Sequence, residues 1–146
     1  MYETVLDLHS YWAFGVLGLL LIAALNSFAG LATKRPFTAQ DKRIAMLALI
    51  FSHVQLVIGV ILLFVNPKLE LAKVAGMGGV MKDSYLRLIF VEHPLVNIIA
   101  IALITIGWSK HKKADDATAK FKKIGYMYAI ALVLLLSRIP WGQWFS

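Results

Sequence analysis

Six polar side chains stand inside stretches that otherwise suit hydrocarbon. They are His9 in DLHSYW, His53 in FSHVQLVIG, Arg87, Glu92 and His93 in RLIFVEHPLV, and Arg138 in LLLSRIPW. Ionisable groups are expensive in such runs, and proteins that keep them there use them. A neutral imidazole ligates metals, and a titrating one shuttles protons. Guanidinium groups hold carboxylates in a fixed fork. The candidate chemistries are therefore metal or cofactor ligation and proton transfer. The chain has no cysteine, which removes disulfides, thiolate clusters and thiol catalysis together. Any metal here is held by His, Met or carboxylate.

The elements that position these groups follow from the hydropathy. Sixty per cent of the 146 residues are hydrophobic, against about 45–50% in a soluble domain. Four apolar runs account for the excess. They predict helices over about 8–32, 44–65, 85–108 and 122–141, each near the ~20 residues that cross ~30 Å of hydrocarbon. Glu3 and Asp7 precede the first run where a secretory leader carries lysines, so that run reads as a span. The expected fold is all-α: a single transmembrane domain over 1–146, an integral membrane antiparallel four-helix bundle.

Charge orients it. Loops 33–43 and 109–123 hold ten of the fifteen basic residues and three of the eight acids, a balance of +7. The rest of the chain holds five of each and balances to zero. This positive-inside pattern predicts both termini outside and two basic loops in the cytoplasm. It also explains the net charge by anionic lipid rather than nucleic acid. Thr38 with Asp41 predicts a capped start to the second helix, Asn66-Pro67 its end, and Asp83 or Ser84 the cap of the third. LELAKV predicts a short helix broken by AGMGG, and WGQWF an aromatic anchor. Gly15, Gly18, Ile22, Asn26 and Ala29 share a 3–4 spacing, as do His93, Asn97, Ala100, Ile104 and Gly107. Each set predicts a close-packing face.

At 1.5 Å per residue, His53 sits near the middle of its run, His93 about 7 Å outward of centre and His9 about 16 Å outward. Imidazoles from different helices, with arginines toward one membrane face, suit haem b. Its iron takes axial histidines and its propionates take cations. The depths favour His53 with His93 as the axial pair; His9 with His93 is the other pairing. Arg87 and Arg138 are the propionate candidates. Gln55 and Asn97 are candidates to hold imidazole tautomers by hydrogen bonds. The spread in depth suits one compact zinc or copper ion poorly. Ser52 reads as interhelical glue, and Met46, Met77, Met81 and Met127 as apolar filler. His111, among lysines, reads as a solvated loop residue. Glu92 either pairs with Arg87 or Arg138, stays protonated, or relays protons.

The chain also resembles small bacterial four-helix membrane proteins labelled cytochrome b. Leu8-His9-Ser10, Phe37-Thr38-Ala39-Gln40-Asp41, SHVQLVIG, RLIFVEHPLVNIIAIALITIG and Ile139-Pro140-Trp141 carry the resemblance over nearly the whole length. Members often carry an Arg-Trp pair after the first histidine, where this chain has Tyr11-Trp12. The resemblance implies haem b, a multi-pass location in the bacterial cytoplasmic membrane, and family positions for His9, His53 and His93. The expected job is one-electron transfer, with a quinone, a respiratory protein or a second copy as partner. The alternatives are a non-haem proton-coupled carrier using Glu92 and a structural subunit of a larger membrane complex. Whether the chain is an enzyme stays open at this stage.

Overall fold

Thr38 and Asp41 begin a helix by mutual capping. The Thr38 hydroxyl accepts from the Asp41 amide at 3.5 Å, and the Asp41 carboxylate accepts from the Thr38 amide at 2.8 Å. In the computed structural model this starts α2 (Ala39–Val65), five residues before the expected boundary. The described residues are 1–144; Phe145, the last aromatic of the expected anchor, lies outside them. Before α2 runs α1 (Tyr2–Thr33), closed by Lys34 in the left-handed region at φ 54°. Pro36 disfavours helix at Arg35, which explains the stop. After α2 comes α3 (Leu69–Lys82), which is interrupted inside AGMGG as expected. Gly76 alone leaves helical geometry, at φ 71°, and the helix resumes through the remaining glycines.

The third long helix, α4 (Ser84–Lys113), is capped by the Asp83 carboxylate, which accepts from the Tyr85 and Leu86 amides at 3.0 and 3.1 Å. It continues five residues past the expected end, through Lys110–Lys113. Then α5 (Ala117–Ser137) starts early, with Asp116 accepting from the Ala119 amide at 2.7 Å, and it stops before Arg138. A short α6 (Trp141–Trp144) ends the described chain. The expected fifteen-residue loop 109–123 is thus only a three-residue link, because Asp116 caps a new helix at once. Among the described residues there is no strand. Three helices, α1, α2 and α4, are long and apolar enough to cross a membrane. Lys120, Lys122 and Lys123 leave α5 with too short an apolar stretch to join them.

Packing is antiparallel between sequence neighbours and between α1 and α5. Trp12 stacks on Phe51 at 4.2 Å, and its indole N–H donates to the Phe51 carbonyl at 2.9 Å, joining α1 to α2. Gly30 of α1 lies directly under the Phe121 ring of α5, and Gly107 of α4 brings the backbone close to Met127 and Lys123 of α5. The α1 face that packs is Val16, Leu20, Ala23, Ser27 and Gly30, with Ala24 beside it. The expected small-residue stripe is a correction: Ile22 and Ala29 point outward. The α4 stripe does bury Ala100, Ile104 and Gly107. Tyr128 of α5 is fully buried and donates its hydroxyl to the Ala45 carbonyl of α2 at 2.9 Å, tying opposite sides of the core. Outside this core the long helices present apolar side chains, among them Leu25, Val57, Phe64 and Ile98.

His111 is a second correction. It is 1% exposed, with its ring 4.6 Å from Trp108 and 5.5 Å from Phe37. The extension of α4 through Lys113 carries it inward, and the residues before α2 fold over it.

A cavity with two histidines

The chain ends and the α2–α4 connection meet at one end of the molecule, the basic residues 34–43 and 110–123 at the other. At the first end α2 and α4 pack loosely, and their separation leaves a cavity of about 570 Å³. Its lining includes the buried Val16, Ser52, Ile101 and Leu135 and the partly exposed Tyr2, Tyr85 and Trp144. The volume is in the range of small-molecule and cofactor sites.

His9 of α1 and His93 of α4 both line this space, and their ring centroids are 6.1 Å apart at an interplanar angle of 81°. His93 has a defined tautomer. Its Nδ1 lies 2.9 Å from the Arg138 carbonyl, which only accepts, so Nδ1 carries the proton. Nε2 therefore keeps its lone pair, and Asn97 Nδ2 donates to it at 3.1 Å. His9 rests against Gly59: a Cβ there would lie 3.3 Å from the ring Cε1. Gln55 Nε2 donates to the His9 carbonyl at 2.8 Å, holding that turn of α1 against α2.

Three buried polar atoms around the cavity have no partner: His9 Nδ1, Gln55 Oε1 and Asn97 Oδ1. Each unpaired buried group costs about 1–3 kcal/mol. All three lie in one cavity wall and come from three different helices.

A π-turn over Leu88–Glu92 places the α4 groups. Pro94 explains it. The proline ring clashes with the carbonyl four residues back, at Phe90, and a wider turn relieves the clash. The His93 amide accordingly reaches the Leu88 carbonyl, five residues back. The same widening brings Arg87 and Glu92 together, although residues five apart diverge on an ordinary helix. Arg87 Nε donates to Glu92 Oε2 at 3.0 Å, and Arg138 Nε lies 3.9 Å from Glu92 Oε1. Arg87 also donates to the Met81 carbonyl at 2.7 Å. Both arginines thus approach Glu92, and neither is among the residues lining the cavity.

His53 also stands elsewhere. It is exposed, with Nδ1 2.8 Å from the Leu49 carbonyl and Nε2 3.3 Å from Thr105 Oγ1. It bridges α2 to α4 and does not line the cavity, so the favoured pairing with His93 is not assembled. Depth along the axis does not fix which way a side chain faces. Ser52, Gln55, Leu56 and Gly59 face the cavity at helical spacing, and His53 sits about 100° around the helix from Ser52. Gly59 is the site residue the sequence reading missed; its position four after Gln55 and seven after Ser52 was the available signal. Ser52 itself donates to the Ala48 carbonyl at 2.7 Å. Among the described residues no group of three or more His, Cys, Asp or Glu is placed to hold a bare metal ion. Comparison with protein-family models, with curated proteins and with solved structures gives no match for this chain.

Proposed function

We propose that this chain is a multi-pass membrane protein of the bacterial cytoplasmic membrane, a four-helix bundle that holds haem b between His9 and His93 and transfers single electrons. One observation carries the reading. Two imidazoles from different helices line one cofactor-sized cavity with ring centres 6.1 Å apart. Metal–imidazole bonds of about 2 Å on both sides of one ion put ring centres roughly 6 Å apart. Haem would fit this donor set, because it needs two ligands from the protein and His9 and His93 would supply them. When bound, it supplies a one-electron iron couple, and the protein sets its ligation and surroundings.

The chain's own residues do the rest. The Arg138 carbonyl fixes the His93 tautomer and orients its ring, and Asn97, which donates to the Nε2 lone pair, would have to release it for a metal to bind there. Gly59 gives the His9 ring room beside α2, and Gln55 anchors its backbone. Tyr2, Ser10 and Tyr85 are among the hydroxyl-bearing residues that line the cavity. Glu92, held by two arginines, supports a fixed charge cluster rather than a mobile proton carrier. A quinone or a respiratory protein completes the electron path.

The test is direct. Full-length protein purified in mild detergent is expected to show a Soret band that shifts on dithionite reduction, with sharp α and β bands. His9→Ala and His93→Ala lose that spectrum, while His53→Ala retains it. A protein that stays colourless after addition of haemin overturns the reading.

A further inference from the structure

The opposite end of the molecule has a second cavity, of about 420 Å³. Phe37, Thr38 and Lys42 wall it on one side, and His111, Lys112 and Lys120 on the other. Three lysines line it and no acidic residue does. Among the described residues, none of these lysines lies within 4.0 Å of an acid. The nearby Asp41 is already taken: Arg35, Asn26 and Thr38 all bond to it. The lysines are positioned but not neutralised. Lys120 Nζ donates to the His111 carbonyl at 3.0 Å and lies 5.8 Å from the Phe37 ring, and Lys112 lies 5.9 Å from the Trp108 ring. His111 in this wall is buried. The start of α2, capped by Thr38 and Asp41, borders the same place through Thr38 and Ala39.

We infer that this cavity binds a phosphate group, carried by an anionic lipid headgroup or free in solution. Ammonium groups are point-charge donors suited to phosphate oxygens. Basic pockets between helices at the cytoplasmic side of a membrane take anionic headgroups for this reason. Three like charges around one void repel each other, and a bound anion removes that repulsion. The volume exceeds a bare phosphate and leaves room for the polar part of a headgroup. The lipid source rests on the membrane reading; the phosphate chemistry does not, and neither depends on haem.

Delipidated full-length protein in mild detergent is titrated calorimetrically with phosphatidylglycerol, phosphatidylcholine and inorganic phosphate. Phosphatidylglycerol is expected to bind more tightly than phosphatidylcholine, whose choline ammonium meets the lysines unfavourably. The triple variant Lys42→Gln/Lys112→Gln/Lys120→Gln is expected to weaken phosphatidylglycerol binding roughly 100-fold. A control with the same charge loss outside the cavity, Lys34→Gln/Lys122→Gln/Lys123→Gln, is expected to stay within about twofold of the parent. Inorganic phosphate binding that the triple variant also loses assigns the site to the free ion as well; lipid binding alone assigns it to headgroups. Equal loss in the triple variant and the control overturns the pocket in favour of general surface charge. So does absence of binding by both phosphatidylglycerol and phosphate.

Discussion

The two ends of this molecule handle buried polar groups in opposite ways. At the basic end the polar groups close on one another. Asp41, 4% exposed, accepts from Arg35 at 2.9 Å, Asn26 at 2.8 Å and the Thr38 amide at 2.8 Å. Arg35 returns to Asn26 Oδ1 at 2.9 Å, and its guanidinium lies 4.9 Å from the Phe121 ring that roofs Gly30. At the histidine end, His9, Gln55 and Asn97 each leave a buried atom unpaired around open volume. A satisfied network stabilises by itself, whereas an unsatisfied one is stable only when a partner arrives. At the basic end the Asp41 network locks the helices together, and at the histidine end the unpaired atoms are those the proposed cofactor would meet.

The comparison breaks most readily at Asp41. Asp41→Ala leaves Arg35 and Asn26 without their shared acceptor. Loss of a partner from a fully buried pair costs about 3–5 kcal/mol. Arg35 is partly exposed, so about 2–3 kcal/mol is expected, read as a lowered unfolding midpoint in detergent. A change below about 0.5 kcal/mol would make the network ornamental and remove one side of the contrast.

Gly30→Ala tests the same end by packing. A Cβ there runs into the buried Phe121 ring, and overpacking of this kind costs about 1–3 kcal/mol. Because Phe121 also supports Arg35, combining it with Asp41→Ala is expected to be non-additive by at least about 0.5 kcal/mol in the same unfolding assay. Strict additivity would separate the ring from the ion network.

The smallest stability effect is expected at the other end. Gln55→Leu loses the bond to the His9 carbonyl but also removes the unpaired Oε1. These oppose each other, so unfolding of ligand-free protein shifts by no more than about 1 kcal/mol. The haem absorbance retained after purification is nevertheless expected to fall, because the wall that holds His9 has changed. A large loss of stability with unchanged absorbance would give Gln55 the role that Asp41 has, and the two ends would no longer differ.

Some of this was legible in the residues themselves. Alternating apolar runs and charged links require helices, since the hydrophobic periods and caps are local. Thr38-x-x-Asp41 and Asp83 worked where the sequence placed them, because a cap depends on three or four residues. The polar residues worth attention were also visible, as ionisable groups are costly in apolar runs. Their grouping was not. Whether His9 or His53 joins His93 depends on helix rotation and splay, which follow from how Gly30, Gly107 and the α1 face fit their neighbours. His111 became core because α4 ran on and the residues before α2 covered it. Arg87 and Arg138 went to Glu92 because Pro94 widened one turn into a π-turn, a local cause whose consequence spans two helices. The sequence by itself determined the helices, their caps and the stock of reactive groups. The tertiary structure alone decided which of those groups share a cavity, because that is set by contacts between residues far apart in the chain.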